Sequence, residues 1–381
     1  MKKILVSLLC FFTMLFTCVS GVEAKSYEDA YQKARSYYSS VKQLTDTEHF
    51  MACESLGIES DKKSFPNELV KDDYSSDIAR TVILLSLHGD NPNNYKGKNY
   101  VKMLEDCVHD NGAFDKNNDS TYANYQVFGV YALYVIDSKK ADKAADYLAG
   151  LIDNNGGFGS SYGVSLDITG WVIDALSLVN KDKYSSVINK SIEYIQSQQQ
   201  ADGSYGITDA YSTYPNASTQ ACVLMGLVSY DSSGIQGDKY SKNGNHPYDS
   251  LIDFQNSNGS FWSDYIGKGQ YDDYSTRQGA LALGYYINGS VLKKAREDYK
   301  ETINNNHNTT TDDNKKTETP NNKNTNKKPS SDKQKNQSKK TVKKSQQAKG
   351  ADTSDISDIF GLTMLILASG YVCLRGRKYF E

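Results

Sequence analysis

Cysteine is scarce in this chain, and its placement excludes two classes of protein. Of six cysteines, Cys10, Cys18 and Cys373 fall in apolar end segments, which leaves Cys53, Cys107 and Cys222 in the body. An odd, widely spaced set supports neither a disulfide framework nor the paired spacing of a zinc site. The five histidines, His49, His88, His109, His246 and His307, are scattered without ligand spacing, so no metal and no cofactor is expected. Neither a phosphate-binding glycine loop nor a His-Glu-x-x-His pair occurs. Proline and tryptophan are also rare, at six and two of 381 residues.

Charge is distributed unevenly. Residues 305–350 hold twelve lysines against four acids, net +8, while residues 25–304 carry −11 of a chain total of −3. An acidic body argues against nucleic acid as a partner. In 305–350 the only apolar side chains are Val342 and Ala348, too few to offset chain entropy, so a disordered Lys/Asn-rich linker is expected there.

Both ends read as targeting segments. Lys2 and Lys3 precede an apolar run over 4–19, and Val22-Glu23-Ala24 offers small residues for cleavage, so 1–24 is expected to be a signal peptide. A second apolar run covers 359–374, short of the ~20 residues that span a bilayer comfortably. Arg375, Arg377 and Lys378 follow it and would lie on the cytoplasmic side. This end resembles the sorting signals of Gram-positive wall-anchored proteins, but Ala351-Asp352-Thr353-Ser354-Asp355 stands where those carry Leu-Pro-x-Thr-Gly. Residues 351–381 are therefore expected to be a membrane anchor or a degenerate sorting signal. The expectation is an exported, surface-tethered chain from a Gram-positive bacterium, in line with its richness in Asn, Lys, Tyr and Ser, that meets the membrane through its tail.

What the body has in abundance is repetition. Four loops share Gly-x-aromatic: Gly112-Ala113-Phe114, Gly156-Gly157-Phe158, Gly203-Ser204-Tyr205 and Gly259-Ser260-Phe261. Asn111, Asn155, Asp202 and Asn258 precede the glycines, and such pairs end helices because they tolerate positive φ. Amphipathic segments lie upstream, at 100–108, 144–152, 188–199 and 248–254. Segments apolar on nearly every side lie downstream, at 125–136, 168–179, 219–228 and 276–287, and belong in an interior. Thr121, Asp167, Ser218 and Ser275 stand where these inner helices would begin, as N-caps. Two weaker units precede them, with outer pieces at 27–41 and 65–70 and inner ones at 47–56 and 77–87. The count is six outer and six inner helices, which favours a closed ring.

Gln199-x-x-x-Gly203-x-Tyr205 and Gln255-x-x-x-Gly259-x-Phe261 resemble the repeat of squalene and oxidosqualene cyclases and of protein prenyltransferase β subunits. The resemblance covers about 27–288 and implies an all-α fold, an α6/α6 toroid over 25–304. It is a fold shared with transcobalamin-like binders and complement-like thioester domains. Class II cyclases protonate an alkene with an Asp in Asp-x-Asp-Asp-Thr-Ala. Here Ser165-Leu166-Asp167-Ile168-Thr169-Gly170 keeps only Asp167 and Thr169, and the neighbouring acids that support such a proton donor are missing. Prenyltransferases hold zinc with Asp, Cys and His, but Gln220 stands where the Asp beside Cys222 would be. The Gly-Cys-Gly-Glu-Gln sequence of the thioester branch is absent.

Asp167 is thus the one catalytic candidate. The aromatic wealth of 29 Tyr and 12 Phe points instead to binding. Tyr122, Tyr125, Tyr162, Trp171, Tyr211, Tyr214, Trp262, Tyr265 and Tyr274 are expected to rim one end of the ring, with acidic Asp209, Asp264, Asp272 and Asp273 among them. The expected function is a monomeric binding module for a small molecule, a glycan or a surface protein. A cyclase or prenyltransferase using Asp167 is the alternative, and a corrinoid binder a weaker one.

Overall fold

Helices that are apolar all round and helices with one wet face alternate along the chain, and each kind takes one layer. The structure, a computed structural model, describes residues 26–58, 69–116, 122–208 and 213–312, with side chains left out at 207–208, 213–214 and 306–312. The chain divides into two units at Asn305, and the account below concerns the first. In order, the elements are α1 (Tyr27–Ser40), α2 (Thr47–Ser55), α3 (Ser75–His88), α4 (Tyr100–Asp106), α5 (Ala123–Val135) and α6 (Ala141–Ala149). A hairpin of β1 (Phe158–Ser160) and β2 (Gly163–Ser165) follows, then α7 (Leu166–Asn180) and α8 (Ser185–Gln198). A second hairpin, β3 (Gly206–Thr208) and β4 (Thr213–Pro215), precedes α9 (Ala217–Gln236), α10 (Pro247–Asp253), α11 (Asp273–Asn288) and α12 (Val291–Asp312).

Six helices form the inner wall. α2 packs on α3, α3 on α5, α5 on α7, α7 on α9, α9 on α11, and α11 returns to α2, so the ring is closed. Their composition explains the placement: α5 buries every residue but Asn124 and Tyr134. By contrast α8, in the outer layer, buries only Ile188, Ser191, Ile192 and Ile195, one stripe at helical spacing. At the tightest crossing, a Cβ on Gly170 would sit 2.3 Å from Cys222 O, and one on Gly226 would sit 2.4 Å from Gly170 O. α7 and α9 therefore touch backbone to backbone.

The Gly-x-aromatic loops are the rivets between layers. Each aromatic ring is buried, and its backbone N–H donates to the side chain four residues past the next inner N-cap. Phe114 donates to Gln126 Oε1 at 2.7 Å, Phe158 to Thr169 Oγ1 at 2.9 Å, Tyr205 to Gln220 Oε1 at 2.6 Å and Phe261 to Thr276 Oγ1 at 2.9 Å. Gln126 and Gln220 also donate outward, to Phe114 O and to Pro247 O, both at 2.7 Å. The loop glycines carry positive φ and lie on the backbone of the next outer element. Gly259, the last, has φ +93°, and a Cβ there would be 2.0 Å from Lys33 O on α1, the first. The two glutamines of the longer motif tie neighbouring units together: Gln199 Nε2 donates to Tyr240 O at 2.9 Å and Gln255 Nε2 to Ala30 O at 2.8 Å. The repeat motif is therefore the ring's fastening.

Several expectations change. The caps of α7, α9 and α11 are Ser165, Asn216 and Asp272, not Asp167, Ser218 and Ser275. The true caps stand in extended backbone, and their side chains accept from N–H groups of the first turn, whereas the expected residues already lie within that turn. Tyr122 stands at the cap of α5, and Thr121 lies outside the described residues, as does most of the outer piece at 65–70. The two hairpins went unforeseen because three-residue strands carry almost no periodicity. α12 was also unforeseen, and it runs past the expected boundary near Asn304 to Asp312. It crosses the end where the inner helices finish. Lys294 pairs with Glu54 at 3.0 Å, Arg296 donates to Tyr134 O at 3.2 Å and pairs with Asp137, and Asn93 donates to Tyr299 at 3.2 Å. Among the described residues no helix is long and apolar enough to cross a membrane, and the apolar runs at 4–19 and 359–374 lie outside them.

Candidate functional site

The six inner helices all begin at the same end of the ring, so equivalent positions in each repeat form layers down its axis. Their N-caps are Asp46, Tyr74, Tyr122, Ser165, Asn216 and Asp272. Two residues past the caps stand Glu48, Asn124, Asp167 and Tyr274. Six past stand Arg80, Phe128, Trp171, Cys222 and Gln278. Nine past stand Tyr131, Asp174, Met225 and Leu281. The successive steps of four and three residues keep one helix face toward the axis.

The first two layers make a polar mouth with an aromatic wall. Phe128 and Trp171 meet edge to face, with ring centroids 5.6 Å apart. The Arg80 guanidinium lies 4.0 Å from the Phe128 centroid and has no carboxylate within ion-pair distance among the described residues. Asn124 Oδ1 and Thr219 Oγ1 are buried there without a hydrogen bond. Burial raises the Asp167 carboxyl above its ordinary range, and the neighbouring Thr219 hydroxyl pulls it back. The Cys222 thiol is pushed well above its usual range by burial and then by Asp167 and Glu48, so it stays protonated and is no nucleophile.

Below the mouth the axis is nearly filled. The cavity between Phe128, Trp171, Met225, Leu281, Tyr285 and Leu292 of α12 measures about 30 Å³, room for a water or two. Its floor is polar at one point. Asp174, 2% exposed, accepts from Ser229 Oγ at 2.5 Å and from Tyr285 Oη at 3.1 Å. Burial pushes its pKa up to about 6 against the pull of these hydroxyls and of Tyr131.

Beside the mouth, Asp46, His49 and Asp273 lie close enough to suggest a metal site. Their atoms are already engaged. His49 bonds Tyr38 Oη at 2.8 Å and Asp273 at 3.0 Å through its two ring nitrogens. Arg277, 5% exposed, pairs with Asp46, with Glu48 at 3.2 Å and with Asp273 at 3.0 Å. A guanidinium already supplies the positive charge, so the cluster serves to lock α11 to α2.

Of the expected rim, Trp171 lines the cavity and Tyr274 stacks on Arg277 at 3.9 Å. Tyr122 and Tyr162 are 50% and 54% exposed, at the cap of α5 and the β1–β2 turn. Tyr125 is buried in the wall of α5, Tyr265 is half-buried, and Trp262 is a packing residue that lies on Phe254 at 4.6 Å and donates to Asp253 O. Tyr211 and Asp209 lie outside the described residues, as does the side chain of Tyr214. Asp272 and Asp273 are spent on the cap and the lock, and Asp264 is exposed. Sequence reading missed Glu48, Arg80, Phe128, Arg277 and Gln278, although a common offset from each cap would have found all but Arg277. It also took Gly-x-Ser-x-Gly to be absent, whereas Gly159-Ser160-Ser161-Tyr162-Gly163 matches it. That stretch is the turn between β1 and β2, not the strand-to-helix elbow the motif requires.

The sequence model of the family described as the prenyltransferase alpha-alpha toroid domain matches residues 8–166 and 164–304. No curated protein sequence matches. Among solved structures, the type II terpene cyclase MstE from Scytonema, in complex with geranylgeranyl dihydroxybenzoate, is 12% identical over 73% of this chain and 90% of its own, with a TM-score of 0.44. Cellobiose 2-epimerase from Bacillus thermoamylovorans is 13% identical over 68% and 88%, with a TM-score of 0.45. The ent-copalyl diphosphate synthase from Streptomyces platensis is 14% identical over 69% and 50%, with a TM-score of 0.42.

Proposed function

The chain belongs to the prenyltransferase alpha-alpha toroid family, and within it we propose that this member is a cell-surface binding or interaction module. One observation carries the reading: an axial cavity of about 30 Å³, an order of magnitude below the several hundred cubic ångströms of a small-molecule site. A cyclisation substrate folded inside the ring would have to displace Met225, Leu281, Tyr285 and Leu292. The mouth above has what a binding face needs: a guanidinium stacked on Phe128, the edge of Trp171, and a polar atom, Asn124 Oδ1, without a hydrogen bond. Export and tethering, which rest on residues 1–24 and 351–381, would display this face outside the cell to a small molecule, a glycan or a surface protein.

The alternative, a cyclase-type reaction begun by Asp167, has one observation in its favour, the raised carboxyl at the mouth. Two assays separate the readings. Trp171 emission, isolated by Trp262→Phe, is followed during titration with cello- and chito-oligosaccharides and with oligopeptides, and Arg80→Ala or Phe128→Ala should abolish any response. Incubation with squalene and with geranylgeranyl diphosphate should give no product. Turnover that disappears in Asp167→Asn would replace the binding reading with the catalytic one.

A further inference from the structure

A second concavity, of about 480 Å³, lies at the end of the ring opposite the mouth. It exists because α9 breaks at Asp231 (φ −147°, ψ 72°) and the short segment beyond turns aside. Its walls are Ser177 and Lys181 at the end of α7, Ser229 to Ser233 around the break, and Tyr285, Ser290 and Lys293 where α11 gives way to α12. The volume falls in the ~300–1,000 Å³ range of small-molecule sites.

Two features set its chemistry. The first is where the hydroxyl protons go. Ser229 Oγ and Tyr285 Oη donate to Asp174, Ser290 Oγ to Tyr285 Oη, Ser177 Oγ to Ile173 O and Ser233 Oγ to Asp231. Each has given its one proton to the protein and keeps lone pairs. These hydroxyls therefore offer acceptors, and the matching ligand brings O–H donors. The second feature is charge. Lys181 and Lys293 form no ion pair among the described residues, and Lys181 lies 4.9 Å over the Tyr230 ring. Of the nearby carboxylates, Asp231 is engaged by Lys239, and Asp174 lies beneath Ser229 and Tyr285, 2% exposed. Among the residues that line the cleft, two ammonium groups thus meet one carboxylate, Asp231, on a body whose residues 25–304 carry −11.

We propose that this cleft binds a small polyol bearing one anionic group, with the charge held between Lys181 and Lys293 and the hydroxyls donating to Ser177, Ser229 and Ser290. A sugar phosphate and a sugar acid share this chemistry. The site is independent of the mouth and of the reading given above for it.

Residue-resolved lysine acetylation of the full chain, read by mass spectrometry, tests the proposal, with the lysines of 315–349 as internal reference. Glucose 6-phosphate, glucuronate or both should slow modification of Lys181 and Lys293 at least fivefold, leaving the reference lysines unchanged. Whichever protects identifies the anion. In titration calorimetry the exposed-residue double variant Lys181→Ala/Lys293→Ala should bind the protecting ligand at least tenfold more weakly, with an unchanged helical spectrum. Equal slowing at the reference lysines, equal protection by inorganic phosphate or by glucose, or no protection by either sugar anion would overturn it.

Discussion

Replacing Arg277 by Met should open the ring at the point where its ends meet. The side chain is 6% exposed and stands on α11 against three carboxylates, two of them, Asp46 and Glu48, from the start of α2. Methionine keeps most of the apolar stem but leaves those charges unpaired. Removing one partner of a buried ion pair costs about 3–5 kcal/mol. The carboxylates are not fully buried, however: the side chains of Asp273, Asp46 and Glu48 are 45%, 26% and 15% exposed. Solvent takes up part of the excess charge, which places the expected loss near the lower bound, about 3 kcal/mol. For a domain of this size that lowers the melting temperature by roughly 6–12 °C. Equilibrium urea unfolding measures it directly. Arg277→Lys should fall between wild type and Arg277→Met, because one ammonium cannot match a planar fork spread over three acids. Acid adds a second reading. Asp273 is held down to about 2, first by the His49 ring and then by Tyr271, with Arg277 contributing less. A depressed carboxyl stabilises the fold above its ordinary value near 3.8, and the contribution is lost as pH falls through about 2. In Arg277→Met that loss should begin at a higher pH. A cost under about 1 kcal/mol, with the acid limb unmoved, would refute the claim that this cluster closes the ring.

Three more outcomes follow from the geometry. Gln220→Ala leaves Tyr205 N–H buried without a partner, at about 1–3 kcal/mol, removes the bond from Gln220 Nε2 to Pro247 O, and should lower the urea midpoint accordingly. Gly259→Ala places a Cβ 2.0 Å from Lys33 O at φ +93°, whereas Gly97→Ala, at φ +80°, meets open space. The first should cost several times the second in the same assay. Asp174, raised to about 6, works in the opposite sense to Asp273. Its favourable contribution is complete below about 3.8 and is lost as pH rises through 6, about 3 kcal/mol for a two-unit shift. Asp174→Asn should flatten the stability profile between pH 4 and 7, and an unchanged profile would show that Asp174 is not buried as described.

Periodicity and punctuation made much of the body legible. Segments apolar all round had to be interior, segments with one apolar stripe had to cover them, and Asn-Gly or Asp-Gly had to separate the two. The inner helices accordingly lie within a few residues of where their pattern placed them, except that α9 runs on past its break to Gln236. The caps were misjudged by two or three residues, since Ser, Asn and Asp cluster at every helix start and only backbone dihedrals show which one stands in extended backbone. α12 escaped because its sequence is as polar as the stretch after it, and its role comes from the few residues, such as Leu292, that reach the ring.

The site divides in the same way. Asp167, Trp171 and Tyr274 could be proposed because they lie beside motifs, while Arg80, Phe128 and Gln278 lie one turn deeper in segments that read only as core. The sequence by itself determined that this chain builds paired helices, how many inner ones, and where they turn, because those follow from interactions a few residues apart. Only the tertiary structure decided that Arg277 would lock the last inner helix to the first, that Leu292 and Tyr285 would close the axis to about 30 Å³, and that a break at Asp231 would leave a cleft at the far end. Each of these joins residues distant along the chain, and side-chain volume and charge at such a meeting leave no local pattern to read.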